Sequence, residues 1–134
     1  MKNFNVGIKG VVTNQNGGVL LLKKNQQKPF WEVPGGRIDD DESIEQTLER
    51  EIQEELTGSS NFTIVQILCA HSLPHDIADG LSLMLIYYQI SIKLPDPIQI
   101  SDEHSEYMWV SSLDQVPIDG GTYKALKAYF EQNK

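Results

Sequence analysis

The segment from Gly36 to Gly58 combines an apolar helical pattern with a dense cluster of acids, and it constrains the chain more than any other part. Aliphatic residues recur there at every fourth position, namely Ile44, Leu48, Ile52 and Leu56. This spacing predicts an amphipathic helix that packs one face on a core. Ser43 and Gln46 fit a capping box at its start. We therefore expect a helix from about Ser43 to Leu56.

The acids of this helix fall into two groups. Glu51, Glu54 and Glu55 lie within an arc of about 100°, because residues three and four apart share a helix face. Glu55 also falls inside the apolar stripe, where an unpaired carboxylate is costly unless it is neutralised or binds a metal. Glu45 and Glu49 lie on the far side and are expected to be solvated. The first group therefore needs a cationic partner.

These residues resemble the signature of the Nudix hydrolases. That signature is a glycine, five residues, a glutamate, seven residues, and then Arg-Glu-U-x-Glu-Glu-x-Gly-U, where U is a bulky aliphatic residue. The matching positions are Gly36, Glu42, Arg50, Glu51, Ile52, Glu54 and Glu55. The preceding segment, from Trp31 to Gly35, resembles the usual lead-in. Thr57 occupies the terminal glycine position and Gly58 the aliphatic one, so the chain departs from the pattern at the helix exit.

The resemblance implies an enzyme that hydrolyses a diphosphate bond in a nucleoside diphosphate linked to another group. A metal-activated water would attack phosphorus, with Mg²⁺ or Mn²⁺ held by Glu51, Glu54 and Glu55, of which Glu54 would also be catalytic. Hard cations of this kind prefer carboxylate oxygens. Arg50 would take part by pairing with the box carboxylates, and Glu42 would support them.

Substrate contacts are expected at Gly35, Gly36 and Arg37. Glycine lets the backbone turn tightly and approach a ligand closely. The guanidinium of Arg37 suits phosphate, but a surface ion pair with Asp39 or Asp41 is an equally weighted alternative.

A second acidic stretch runs from Ser101 to Val110 and feeds an aromatic strand. By the same resemblance, Glu103 is the first candidate and Glu106 the second for a further ligand or for the general base. A solvated acidic loop is the alternative for both. The three histidines, His71, His75 and His104, have no recognisable zinc spacing. We interpret them as polar residues of loops or strand ends.

Composition limits the partners. The chain has 19 acidic and 11 basic residues, a net charge of −8, which disfavours nucleic-acid polymers and leaves small nucleotides as substrates if local cations reverse the field. One cysteine excludes an internal disulfide. The apolar runs are too short to span a bilayer, and no export signal is recognisable, so we expect a cytoplasmic protein. A homodimer remains open.

All 134 residues, 1–134, are expected to form a single domain. Strands are predicted at about 5–13, 19–24, 31–33, 62–72, 81–94 and 107–110, and a terminal helix at 121–132. The stretch Asn14 to Gly18 predicts a hairpin turn between the first two strands. Together with the resemblance, this pattern indicates an α/β/α sandwich with a mixed sheet.

The sequence leaves three hypotheses for the substrate and activity. A small Nudix domain resembles members that release pyrophosphate from nucleoside triphosphates. Pro74 lies sixteen positions beyond Gly58, a spacing associated in the family with hydrolysis of ADP-ribose, and other nucleotide sugars belong to the same alternative. A nucleotide-binding or regulatory domain without catalysis is the third reading.

Overall fold

The computed structural model describes residues 2–133, which form nine strands and two helices. In chain order they are β1 Asn3–Val12, β2 Val19–Lys24, β3 Trp31–Glu32, β4 Gly35–Arg37, α1 Ile44–Glu55, β5 Leu56–Thr57, β6 Ser60–Ser72, β7 Leu81–Lys93, β8 Gln99–Ile100, β9 His104–Val110 and α2 Gly120–Gln132. No helix within residues 2–133 has the length and apolar character needed to cross a membrane.

The predicted mixed sheet is confirmed. The largest sheet has the order β4-β1-β7-β6, and its pairs are antiparallel except for β1 and β7, which run parallel over the whole of β1. A second, antiparallel sheet has the order β3-β2-β9, and β5 pairs with β8. This topology brings the lead-in strands β3 and β4 to the edges of the two larger sheets.

The two helices cover opposite faces of the strands. Alternate residues of β1 show this, since successive side chains of a strand point to opposite faces. Ile8 and Val12 pack in one buried cluster with Ile52 of α1. Val11 packs in a second buried cluster with Leu126 of α2. The predicted α/β/α arrangement is therefore confirmed.

The predicted turn between β1 and β2 is confirmed, but the predicted pairing of these two strands as a hairpin is wrong. The side chain of Asn14 closes the turn by accepting hydrogen bonds from the amides of Asn16 and Gly18. Beyond one bridge between Thr13 and Val19, however, β1 and β2 diverge into different sheets. Both strands are apolar on both faces, so each becomes an interior strand with its own neighbours.

Candidate active site

Arg50 is the centre of an ion-pair cluster on α1. Its Nε and Nη2 donate to the two oxygens of Glu42 at 2.8 and 2.9 Å, and its Nη1 donates to Glu51 at 2.8 Å. Asp39 lies 3.2 Å from Nη2, and Glu54 lies 3.8 Å from Nη1. The predicted pairing of Arg50 with the box carboxylates is thus observed. The arginine limits their mutual repulsion, and the carboxylates raise its own pKa.

Glu42 links this cluster to the loop before α1. Its Oε1 also accepts hydrogen bonds from the amide of Asp39 and the hydroxyl of Thr47, each at 3.0 Å. The Arg50 guanidinium holds the pKa of the Glu42 carboxyl down at about 2. Glu42 is therefore a charged residue that holds Arg50 against the loop.

Glu55 is buried as the helix pattern predicted, with only 2% of its surface exposed. Its Oε2 accepts a hydrogen bond of 2.8 Å from the backbone amide of Gly35. Burial raises the pKa of the Glu55 carboxyl to about 8, against the opposing charge of Lys9 and the bond from Gly35. A carboxyl in this position gains strongly from a bound cation, because the cation would offset the cost of burying its charge.

Glu51 and Glu54 complete the predicted trio but differ in environment. Glu51 is half-buried, and its carboxylate lies so close to Gly36 that a Cβ at that position would collide with it. Burial raises the pKa of Glu51, as do the charges of Glu54 and Glu103, while Arg50 opposes the shift. The side chain of Glu54 is 59% exposed. Solvent exposure within the trio therefore falls from Glu54, through Glu51, to the buried Glu55.

Three residues that sequence reasoning did not assign to the site lie behind Glu55. Nε2 of His104 lies 2.9 Å from Oε2 of Glu32 and 3.9 Å from Oε1 of Glu55, and Lys9 donates to Oε1 of Glu32 at 3.2 Å. Burial works against ionisation of Glu32, but the hydrogen bond from His104 and the charge of Lys9 lower its pKa. One ligand atom from each of Glu32, Glu55 and His104 lies within 4.8 Å of the others.

A sequence signal for this group existed. Lys9 interrupts the apolar run of β1, and a lysine in a buried strand requires a partner. Glu32 lies in the lead-in, where we assigned it no role. His104 does begin a strand, as we interpreted it, but it is 3% exposed and bonded to Glu32, so the interpretation as an ordinary polar residue was incomplete.

Glu103 and Glu106, the two candidates for a further ligand or the general base, have different surroundings. Glu103 is exposed, and its negative charge adds to the upward shift of the pKa of Glu55 and Glu51, to which burial contributes most. The Glu106 carboxylate pairs with Lys23 at 3.1 Å across β2 and β9. Of the two, Glu103 is the one whose charge contributes to the pKa shifts of the box glutamates.

A cavity of about 530 Å³ opens beside the box. Its lining includes Lys9, Glu32, Gly36 and Arg37, together with Phe30 and the start of α2, from Asp119 to Thr122. Its volume is within the range of about 300 to 1,000 Å³ that is typical of small-molecule sites.

Among residues 2–133, no carboxylate lies within 4 Å of the Arg37 guanidinium. The alternative ion pair of Arg37 with Asp39 or Asp41 is therefore not observed.

Comparison with known proteins assigns the family. A family model described as a NUDIX domain matches residues 3–129 of the chain. The chain belongs to the Nudix family. The solution structure of the E. coli ORF135 protein shares the Nudix fold, with a TM-score of 0.80 and 23% sequence identity, over 98% of this chain and 92% of that one.

Relatives of this Nudix chain support a hydrolase. It is 33% identical to an 8-oxo-dGTP diphosphatase of Proteus vulgaris over 73 residues, which are 52% of this chain. It is 27% identical to an asymmetrical bis(5'-nucleosyl)-tetraphosphatase of Caenorhabditis elegans over 99 residues, 74% of this chain and 71% of that relative. The aligned part spans only 62% of the length of the Proteus protein.

The departure from the Nudix pattern at Thr57 has a local structural explanation. Helix α1 ends at Glu55, and Leu56 and Thr57 form a short strand that pairs with β8. The chain turns one residue later, at Gly58, where φ is +82°. The shifted glycine therefore accommodates two residues of strand without moving Glu55 out of the helix.

Proposed function

We propose that the protein is a metal-dependent nucleoside triphosphate pyrophosphohydrolase. The cavity is the observation that carries this proposal, because Gly36 and Arg37 of the box line it together with the aromatic Phe30 and the acidic Asp119. It has room for one nucleoside with its phosphates directed at the box. The names of the relatives, a diphosphatase for 8-oxo-dGTP and a tetraphosphatase, support a nucleotide with a polyphosphate chain.

The donor set fits Mg²⁺ or Mn²⁺. Glu51, Glu54 and Glu55 offer carboxylate oxygens, and burial raises the pKa of Glu55 to about 8, so a nearby cation would favour its ionised form. Such oxygens suit hard divalent cations. When bound, the cation polarises a phosphoryl oxygen and lowers the pKa of an attacking water.

Other residues of the chain orient the metal-binding carboxylates and the substrate phosphate. Gly35 orients the Glu55 carboxylate through its amide, and Arg50 fixes Glu51. Gly36 has no Cβ, so the Glu51 carboxylate can lie directly against its backbone. Arg37 binds substrate phosphate at the mouth of the cavity through its planar donor fork.

Glu103 is the proposed general base. A general base must be ionised and able to reach the water from which it takes a proton. Glu103 is exposed on the loop before β9, whereas Glu106 is paired with Lys23. Replacing Glu103 with Gln is expected to lower kcat about a hundredfold. The matched variant Glu106→Gln is expected to retain kcat within about threefold, because its partner lies on the solvated strand surface.

The reading as an ADP-ribose hydrolase rested on Pro74. Pro74 is exposed and does not line the cavity, although its neighbour Leu73 does. Pro74 therefore adds no support for ADP-ribose, which stays the alternative substrate that the assay below tests.

One assay tests the proposed function. The purified protein is incubated with Mg²⁺ and a panel of ribonucleoside and deoxyribonucleoside triphosphates, 8-oxo-dGTP and ADP-ribose, and products are separated as pyrophosphate or phosphate. We expect triphosphates to give pyrophosphate with the highest kcat/KM, and Glu54→Gln and Glu55→Gln to abolish turnover. Glu45→Gln is the control, since Glu45 is exposed on the other side of α1. Folded wild-type protein that binds nucleotides without turning over any of them would contradict the proposal.

A further inference from the structure

We propose that His104 is a positioning residue that holds the carboxylates of Glu55 and Glu103 in register with each other. This inference rests on the proposed function, because it concerns how the metal-binding carboxylates are arranged. It assigns no contact between His104 and substrate. The role follows from the place of His104 in the fold and from its hydrogen bonds.

The ring of His104 contacts the Glu32 carboxylate, which in turn is paired with Lys9. Oε2 of Glu32 lies 2.9 Å from Nε2 of the ring, and the other oxygen of Glu32 accepts from Lys9 at 3.2 Å. Because a carboxylate only accepts, Nε2 carries the hydrogen and donates it. Nδ1 is buried and has no hydrogen-bond partner within residues 2–133. The Glu32 contact therefore determines the ring orientation.

The same Nε2 faces Glu55. Its distance to Oε1 of Glu55 is 3.9 Å, and the second oxygen of Glu55 accepts from the amide of Gly35. Glu55 is thus hydrogen-bonded to Gly35 at one oxygen, and the His104 ring packs near the other at a distance longer than a hydrogen bond. An outer partner of this kind typically changes metal affinity by about 10-fold to 100-fold when it is lost.

The backbone of His104 also places Glu103. The strand pairing between β2 and β9 shifts register after Lys23, so that Lys24 is opposite His104. The amide of His104 donates to Ser101 at 3.2 Å, and the carbonyl of Glu103 accepts from the amide of Asn25 at 2.8 Å. A local irregularity of this type redirects the neighbouring side chain. With the ring anchored in the interior, Glu103 is held at the surface beside the box.

Two substitutions of His104 separate this role from general packing. In His104→Gln the side-chain amide nitrogen reaches the place of Nε2, whereas in His104→Asn it ends at the place of Nδ1. Mn²⁺ binding in the absence of substrate is measured by electron paramagnetic resonance. We expect His104→Asn to weaken Mn²⁺ binding about tenfold and His104→Gln to bind within about threefold of wild type. His75→Asn is the control, because His75 is exposed in the loop before β7.

Kinetics and folding give independent readouts. Urea unfolding identifies any variant that is not folded, and if His104→Asn fails that criterion, Glu32→Ala, which removes the acceptor for Nε2, takes its place with the same expected loss of Mn²⁺ affinity. For a folded variant we expect kcat to fall and KM for the triphosphate to change little. Wild-type Mn²⁺ affinity in folded His104→Asn, or in Glu32→Ala when it replaces it, overturns this inference and leaves the proposed function intact. Wild-type protein that binds no Mn²⁺ overturns both.

Discussion

The backbone amide of Gly35 donates a hydrogen bond of 2.8 Å to Oε2 of Glu55, and this bond ties the lead-in turn to the buried end of α1. The donor is part of the main chain, so no side-chain substitution at Gly35 removes it directly. Its φ of +144° and its close approach to Ile8 leave no room for a Cβ. The turn and the helix are therefore one structural unit, in which the position of Glu55 depends on the path of the backbone.

Gly36→Ala tests the close packing of this unit. The added Cβ would collide with the carboxylate of Glu51, which must then move away from its partner Arg50. We expect Mn²⁺ affinity and kcat/KM to fall at least about tenfold, with a small loss of stability. Gly18→Ala is the control, since its Cβ would lie 3.2 Å from a side-chain atom of Asn14 in the turn between β1 and β2. Equal kinetics in the two variants would argue against the packing role.

The raised pKa of Glu55 predicts that the stability of the folded protein depends on both pH and bound metal. This pKa is about 8 in the folded protein and about 4.3 in an unfolded chain. Between these values the folded state binds more protons, so without metal the contribution of Glu55 to stability falls as pH rises from about 4.3 to 8. Glu55→Gln removes this dependence. We expect it to be more stable than metal-free wild type near pH 7, by up to about 3 kcal/mol.

Urea unfolding at several pH values, with EDTA and with Mg²⁺, provides the measurement. Mg²⁺ should reduce or reverse the advantage of Glu55→Gln, because it stabilises only the ionised wild-type carboxylate. Glu45→Gln, exposed on the other side of α1, should follow the pH profile of wild type under both conditions. A pH profile that is the same for wild type and Glu55→Gln would show that Glu55 ionises normally in the folded state.

The sequence predicts those parts of the site that lie on one element. Helical periodicity placed Glu55 in the interior and Glu45 on the solvated side, because i+3 and i+4 neighbours are fixed by the helix itself. Ser43 and Gln46 form the predicted capping box. The sequence also favoured the correct layered architecture, since apolar strands on both sides of an amphipathic helix have few ways to bury it.

Contacts between distant elements could not be predicted in the same way. The group of Lys9, Glu32 and His104 comes from β1, β3 and β9, and its assembly depends on sheet order and register. A strand's register cannot be determined from its own pattern when both faces are buried, because alternation is then lost. For the same reason, the sequence could not show that β1 and β2 enter different sheets.

Wild type should lose stability in acid relative to Glu42→Gln, because only the Glu42 carboxylate of wild type is protonated as pH falls. Arg50 lowers the pKa of Glu42 to about 2 in the folded protein, from about 4.3 when unfolded. The stabilisation is therefore present above pH 4.3 and is lost as pH falls towards 2. We expect the difference in unfolding free energy between wild type and Glu42→Gln to shrink over this range. Glu49→Gln, on the exposed face of α1, should show no such trend when followed by circular dichroism.

Arg37→Ala tests the proposed phosphate contact at the cavity mouth. Arg37 is exposed and, among residues 2–133, has no carboxylate within 4 Å, so its removal should leave stability almost unchanged. We expect KM for the triphosphate to rise about tenfold with a smaller change in kcat, and Arg37→Lys to recover part of the loss, since lysine keeps the charge without the bidentate geometry. Lys28→Ala is the matched control, because Lys28 is an exposed cation that does not line the cavity. If Arg37→Ala and Lys28→Ala raise KM equally, Arg37 acts only through the general field of the protein and makes no specific contact with phosphate.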